Sequence, residues 1–374
     1  MRREKTRARR ILAPVLSALI LIVLIALAVF LIANRDRLSL DHFNRAIQYR
    51  GLGTAAQAET FHFIDSASNR FVTLGEGIAV ASVSGLSVYD RTGNLVYSEL
   101  FSMRQPVIRE SGGFVLAYDL GGTAIRVGNT REILLELSWE ESLIDVSLNE
   151  NGWLAVSHEQ DGTRGVVVVV NPEGDLAFRV YSRERYLIGA ALGSDNRSLA
   201  VLTAMEQGAA VHWYSTVDRE RQWEFLKEGE LFFDIWFTDR REIALISGNM
   251  LLYLTHTGEI RREYHFFDRY LRGYTRSEGT VALRLSPHQT GAGGNFVLLS
   301  GVGEEREIEI QGTPVDISLA GRYFAALFID RLLLYRNGQE YALFDETEGM
   351  TRVLTREDGS VFRLSTQRAR LLIP

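Results

Sequence analysis

A chain of 374 residues, 46% hydrophobic and 24% charged, is long enough to bury an extensive core, and this balance excludes disorder as its general state. It has no cysteine, which rules out disulfides, thiolate metal sites and cysteine nucleophiles. The formal charge of −6 hides an asymmetry: residues 1–40 hold eight basic and two acidic residues, so residues 41–374 carry −12, a surface unsuited to nucleic acid and repelled by anionic lipid headgroups.

Residues 1–10, MRREKTRARR, form a basic tail ahead of ILAPVLSALILIVLIALAVFLIA, residues 11–33, which contains no charged side chain. As a helix rising about 1.5 Å per residue, that segment spans roughly 34 Å, more than a hydrocarbon core of about 30 Å. The cationic flank predicts a cytoplasmic N-terminus and an exported remainder. The apolar run is longer than the roughly 7–15 residues of a cleaved signal peptide, so the expectation is an uncleaved signal-anchor helix. Residues 34–56 then read as a stalk with one short amphipathic helix, in which Leu40, Phe43 and Ile47 share a face and Gly51 stops it.

From residue 57 to 374 the pattern changes to short alternating runs separated by Gly, Asn and Asp, the period of strands. A turn residue followed by x-apolar-Ala recurs, as in EGIAVAS, NGWLAVS, NRSLAVLT and GRYFAALF. The markers are Ala79, Ala117, Ala155, Ala200, Ala244, Ala282, Ala325 and Phe362, spaced by 38, 38, 45, 44, 38, 43 and 37 residues. A second marker, an apolar strand ending in a turn, places Gly93, Gly174, Gly258 and Gly338. A period near 40 residues with four short strands per unit predicts an all-β propeller, because a lone blade leaves both faces uncovered. Eight first markers predict eight blades, with seven and one degenerate unit as the alternative. The last unit ends after three strands, so ETFHFID, residues 59–65, is expected to close the ring by pairing with residues 368–373. The small alanine fits an inner strand, where adjacent blades converge.

The units VSGLSVYDRTGN and LIDVSLNENGWLAVS resemble WD40-like and YVTN-type propeller repeats. The whole layout of basic tail, anchor, HFNRAIQYRGLG stalk and propeller resembles a family of membrane-anchored propeller proteins of clostridial-type Gram-positive bacteria, classed as a domain of unknown function. The motifs behind that resemblance are structural and bring no chemistry with them. The chain departs from WD40 repeats in lacking a Trp-Asp dipeptide, and from quinone-dependent dehydrogenases in lacking their repeated tryptophan motif.

Aligned at the start of the expected innermost strands stand Asp145, Gly189, Asp234, Gly273, Asp316 and Arg352. Facing a central channel, Asp145, Asp234 and Asp316 would form an acidic ring for a cation or cationic ligand. The competing reading is structural, with each carboxylate accepting N–H groups between strands or blades. Aromatic-rich LFFDIWF invites a sugar-stacking role, but alternation puts Phe233, Ile235 and Phe237 on one face and favours blade packing. The seven histidines sit at no metal spacing, and no nucleophile elbow, P-loop or dinucleotide fingerprint occurs, so neither metal nor cofactor is expected.

These features predict a monomeric ring on the outer side of the cell membrane, a non-catalytic binding or scaffold module for envelope proteins or glycans. The alternative is an exported glycan-active hydrolase or lyase using channel carboxylates as acid and base. A sensor reporting through the anchor is a third reading, with only about ten cytoplasmic residues to signal through.

Overall fold

Runs such as Val166–Val170 and Ser198–Met205 are almost wholly apolar and almost wholly buried, because both of their faces are covered by neighbouring sheets. Outer runs such as Glu305–Ile310 alternate between exposed and covered side chains instead. The structure is a computed structural model that describes residues 61–374 apart from positions 64–65, 239–241, 278, 301–302 and 346. The basic tail, the anchor segment and the stalk lie outside the described residues.

All regular structure among the described residues is strand, arranged as eight four-stranded antiparallel sheets. The first strands of blades 1 to 7 are Arg70–Leu74, Pro106–Ser111, Leu143–Leu148, Tyr186–Leu192, Phe232–Phe237, Tyr270–Ser277 and Asp316–Ala320. Each of these seven blades is a meander of four consecutive strands. Blade 8 supplies three, Arg352–Thr355, Val361–Leu364 and Arg368–Leu372, and takes its outer strand, Phe61–His62, from the beginning of the domain. Phe61 pairs with Ala369 and His62 with Arg368, which is the closure the sequence predicts. The first strands of blades 8 and 1 lie side by side, so the ring is shut.

The hydrophobic core is divided among the spaces between blades. Tyr118 and Val127 of blade 2 cluster with Val146 and Val168 of blade 3, and Leu202 and Val211 of blade 4 with Ile235 and Leu252 of blade 5. Each fully buried Val or Leu stabilises the ring by about 1.5–3 kcal/mol, and most of that is gained only when the adjoining blade is in place. The recurring alanine sits on the second strand of blades 1 to 7, an inner strand as expected, and Phe362 takes that place in blade 8. Ala79, Ala155 and Ala244 are wholly buried there, on strands packed by neighbouring blades on both sides, where added methylenes would cost about 1–3 kcal/mol.

The strands alternate in direction, so the ring has two distinct ends. At one, the loop end, each first strand starts and each second strand stops. Thus Gly121 N–H donates to the Leu143 carbonyl at 2.9 Å, tying a blade 2 turn to the start of blade 3. The other, turn end, holds the tight turns of the second sequence marker. There Gly93, Gly174 and Gly258 donate to the carbonyls of Asp90, Asn171 and Thr255 at 3.0–3.1 Å. Gly258 has φ +85°, a region closed to most side chains.

Candidate functional site

Strand register sets the first group of candidate residues. In each blade, the residue two positions before the partner of the recurring marker occupies an equivalent place. Around the ring these are Arg70, Pro106, Asp145, Gly189, Asp234, Gly273, Asp316 and Arg352. The six expected residues therefore do align, and the structure adds Arg70 and Pro106. In blades 3 to 6 the first strand also bulges immediately before this place, at Ile144, Ile188, Phe233 and Arg272.

Each of the three carboxylates is held by an adjacent blade. Asp145 Oδ1 accepts from Arg109 Nη2 at 2.7 Å and from the Tyr118 hydroxyl at 3.0 Å, both on blade 2. Asp234 Oδ2 accepts from the Tyr274 hydroxyl of blade 6 at 2.7 Å, with Arg276 Nη1 at 3.5 Å. Asp316 accepts from Arg352 Nη1 at 3.0 Å and from the Val353 N–H at 2.9 Å, both on blade 8. Gly189 leaves the space that Asp145 uses, since a Cβ there would stand 3.0 Å from Asp145 Oδ2.

Two of these clusters mirror each other across blade 4. Arg109 and Arg276 occupy equivalent places on the first strands of blades 2 and 6; Arg109 meets Asp145 and lies over the Tyr118 ring, and Arg276 meets Asp234 and lies over the Trp236 ring. Burial alone would lower the basicity of the Arg109 guanidinium, but Asp145, Tyr118 and Asp234 more than reverse this and hold it firmly protonated. Burial pushes the Tyr118 and Tyr274 hydroxyls up, keeping them neutral donors. It also raises the Asp316 carboxyl, against the pull of Val353 N–H and Arg352. The arrangement neutralises charge and stitches blades together. The partners Arg109, Tyr118, Tyr274 and Arg276 were not anticipated, although an arginine one residue past the marker's partner, in PVIRES and GYTRS, is a visible anomaly among apolar inner strands.

The second group lies at the loop end, where several large apolar side chains face solvent. Phe267 is 85% exposed and Ile329 80%, with Leu100, Tyr186, Leu231 and Phe233 also exposed. Phe233 overturns the expected alternation: the bulge turns it outward, while Phe232 on one side and Ile235 on the other are buried. Phe267 has φ +53°, a conformation costing a bulky residue about 1–2 kcal/mol. Where blade 7 leads into blade 8, a cavity of about 390 Å³ is lined by Arg363, Arg368 and Arg370 together with Asp345 and Glu348. Both signs of charge meet there.

Residues 48–295, two thirds of the chain, match the family of unknown function DUF5711. The chain belongs to that family. The match runs from before the first blade into the third strand of blade 6. Among solved structures, the ring is similar to BamB from Moraxella catarrhalis, with a TM-score of 0.53 and 14% identity over 85% of this chain and 99% of that one. It is also similar to the C-terminal WD40 domain of Sif2, with a TM-score of 0.59 and 13% identity over 85% of this chain and 98% of that one. At such identities these likenesses establish the propeller fold alone. No curated protein matches the sequence.

Proposed function

We propose that this member of DUF5711 is a monomeric, non-catalytic binding or scaffold ring, fastened to the outer side of the cell membrane by residues 11–33, whose loop end docks envelope proteins or glycans. The observation that carries the docking reading is the set of exposed apolar side chains concentrated at the loop end, led by Phe267 and Ile329. Isolated exposed apolar residues are ordinary, but several on the loops of adjacent blades are a feature of interaction surfaces. The charged apolar-flanking pattern of residues 1–33 supports the anchor and its direction. Against a hydrolase stands the engagement of Asp145 and Asp234 with arginine and tyrosine of adjacent blades, which commits both carboxylates to contacts that join the sheets.

The test places a photo-crosslinking amino acid at Phe267, Ile329 or, at the turn end, Val217 in the full-length chain on intact cells. Adducts with envelope components are expected from the two loop-end positions and not from Val217. Adducts formed only through Val217 would overturn the docking face. Resistance of the ring to external protease on intact cells, with digestion after permeabilisation, would overturn the exported location.

A further inference from the structure

Phe267 combines two unfavourable features, a bulky side chain in left-handed backbone and nearly full exposure to water. The loop that carries it is nevertheless firmly built. Phe266 is wholly buried, Arg269 N–H donates back to the Phe266 carbonyl at 3.1 Å, and the Arg269 guanidinium reaches Glu307 at 2.8 Å and the Tyr264 hydroxyl at 2.9 Å. A fixed turn that displays an aromatic ring spares a partner the entropy of ordering it. The His265 ring lies 5.8 Å from it.

The neighbouring blade presents similar side chains. Phe233 is turned out by its bulge, with the Tyr274 ring 6.2 Å away. Leu231 and Tyr270 stand two residues before the equivalent bulges of blades 5 and 6, and both are exposed. The charges around them are predominantly negative. Glu228, Glu230 and Asp268 lie on the same loops, and none of the three forms an ion pair among the described residues. The cations there are largely committed: Lys227 to Glu263 at 2.6 Å, and Arg269 to Glu307. Arg272 donates to the Gln289 carbonyl at 3.2 Å.

We infer that the loop end of blades 5 and 6 is a docking site for a polypeptide segment whose apolar side chains are flanked by lysine or arginine. The inference deepens the loop-end reading above and rests on it. Apolar groups of the segment cover Phe267, Phe233 and Tyr270, its cations meet Glu228, Glu230 and Asp268, and cations placed over exposed aromatic faces add to the attraction. An anionic bilayer surface is disfavoured by the same three carboxylates.

The experiment measures fluorescence anisotropy of short synthetic peptides with identical apolar residues and either Lys/Arg, Ser or Glu at the polar positions, mixed with the full-length chain. The basic peptide is expected to bind best, and its affinity to fall about tenfold in Phe267→Gly and in Tyr270→Ala. Phe267→Gly should keep or raise the melting temperature, because glycine relieves the strained φ, so weaker binding by a fold at least as stable excludes a merely structural role. The triple change Glu228→Gln, Glu230→Gln, Asp268→Asn should flatten the salt dependence, and Val217→Ser at the turn end should change nothing. Equal binding of all three peptides, undiminished binding by Phe267→Gly, or preference for neutral phosphatidylcholine vesicles would overturn the site. A loss confined to Ile329→Ser would overturn it while leaving loop-end docking intact, whereas crosslinks confined to Val217 would remove the loop-end reading itself.

Discussion

The two ends of the ring are made from the same repeat, yet they spend their residues differently. At the turn end, Asp90 Oδ1 alone receives the Thr92 N–H at 2.8 Å, the Thr92 hydroxyl at 2.7 Å and the Asn94 N–H at 2.9 Å. Asn149 and Asn151 of blade 3 reach across to Gly193 and Ser194 of blade 4, at 3.0 and 2.6 Å. Glycines such as Gly93 and Gly258 take up left-handed φ there together with the polar Asn196, Arg219 and Asn337, and polar side chains satisfy the backbone within the turn or between neighbouring turns. At the loop end the apolar Phe267 also takes up a left-handed φ, a bulge exposes Phe233, and Glu228, Glu230 and Asp268 stand without cationic partners among the described residues. The contrast separates shape from display: one end settles its own hydrogen bonds, and the other leaves apolar and anionic groups for something outside the chain.

That contrast can be broken or sharpened by substitution. The largest effect should come from Gly258→Val at the turn end, where a Cβ would stand 2.9 Å from the Trp223 ring and the backbone has φ +85°. A loss of about 3 kcal/mol in urea unfolding is expected, with loop-end crosslinking per folded molecule unchanged. Loss of crosslinking at equal folded fraction would mean that the two ends are not independent.

Below the loop end, Asp145→Ala removes the carboxylate from the Arg109 guanidinium and the Tyr118 hydroxyl, and should cost about 2 kcal/mol, moderated because Arg109 keeps the Val146 carbonyl at 2.8 Å and 30% side-chain exposure. The double variant Arg109→Met, Asp145→Leu should recover part of that loss in the same unfolding measurement. If the single and double variants are equally destabilised, the pair is not the clamp described above.

The smallest effect concerns pH. The Glu263 carboxyl is held below the usual carboxylate range first by its hydrogen bond from Lys227, against a smaller opposing contribution from burial, and with further help from His265. Its folded value lies below its unfolded one, so the stability it contributes is present above the ordinary range and is lost as pH falls through the folded value. Lys227→Met should remove that segment of the acid dependence, a difference under about 1 kcal/mol, seen by comparing urea midpoints as pH falls from about 5. An unchanged acid profile would remove the pair from the account of the ring's stability.

Much of the architecture was legible because a blade cannot cover its own faces. Recurring small and apolar residues at Ala79 through Phe362 announced the repeat, and a final unit one strand short announced that residues near 61 must return to it. The alanine lies on an inner strand, as its small size implied. Period-two alternation identifies a strand but not its rank within the blade, and the second strand proved more tightly enclosed than the first. Asp145, Asp234 and Asp316 were found as an aligned set, but their partners were not. Arg109, Tyr118 and Tyr274 belong to adjacent blades, and Asp145 looks backward to blade 2 while Asp234 and Asp316 look forward to blades 6 and 8. No spacing within one repeat encodes that choice.

Sequence alone determined the ring: strand period, repeat length and the missing strand are local or additive properties of the chain, and burial turns them into eight stacked sheets. Tertiary structure decided which groups remain available. Whether a carboxylate is paired, and whether a phenylalanine faces core or water, depends on a neighbour roughly forty residues away and on a one-residue bulge that reverses the side to which Phe233 points.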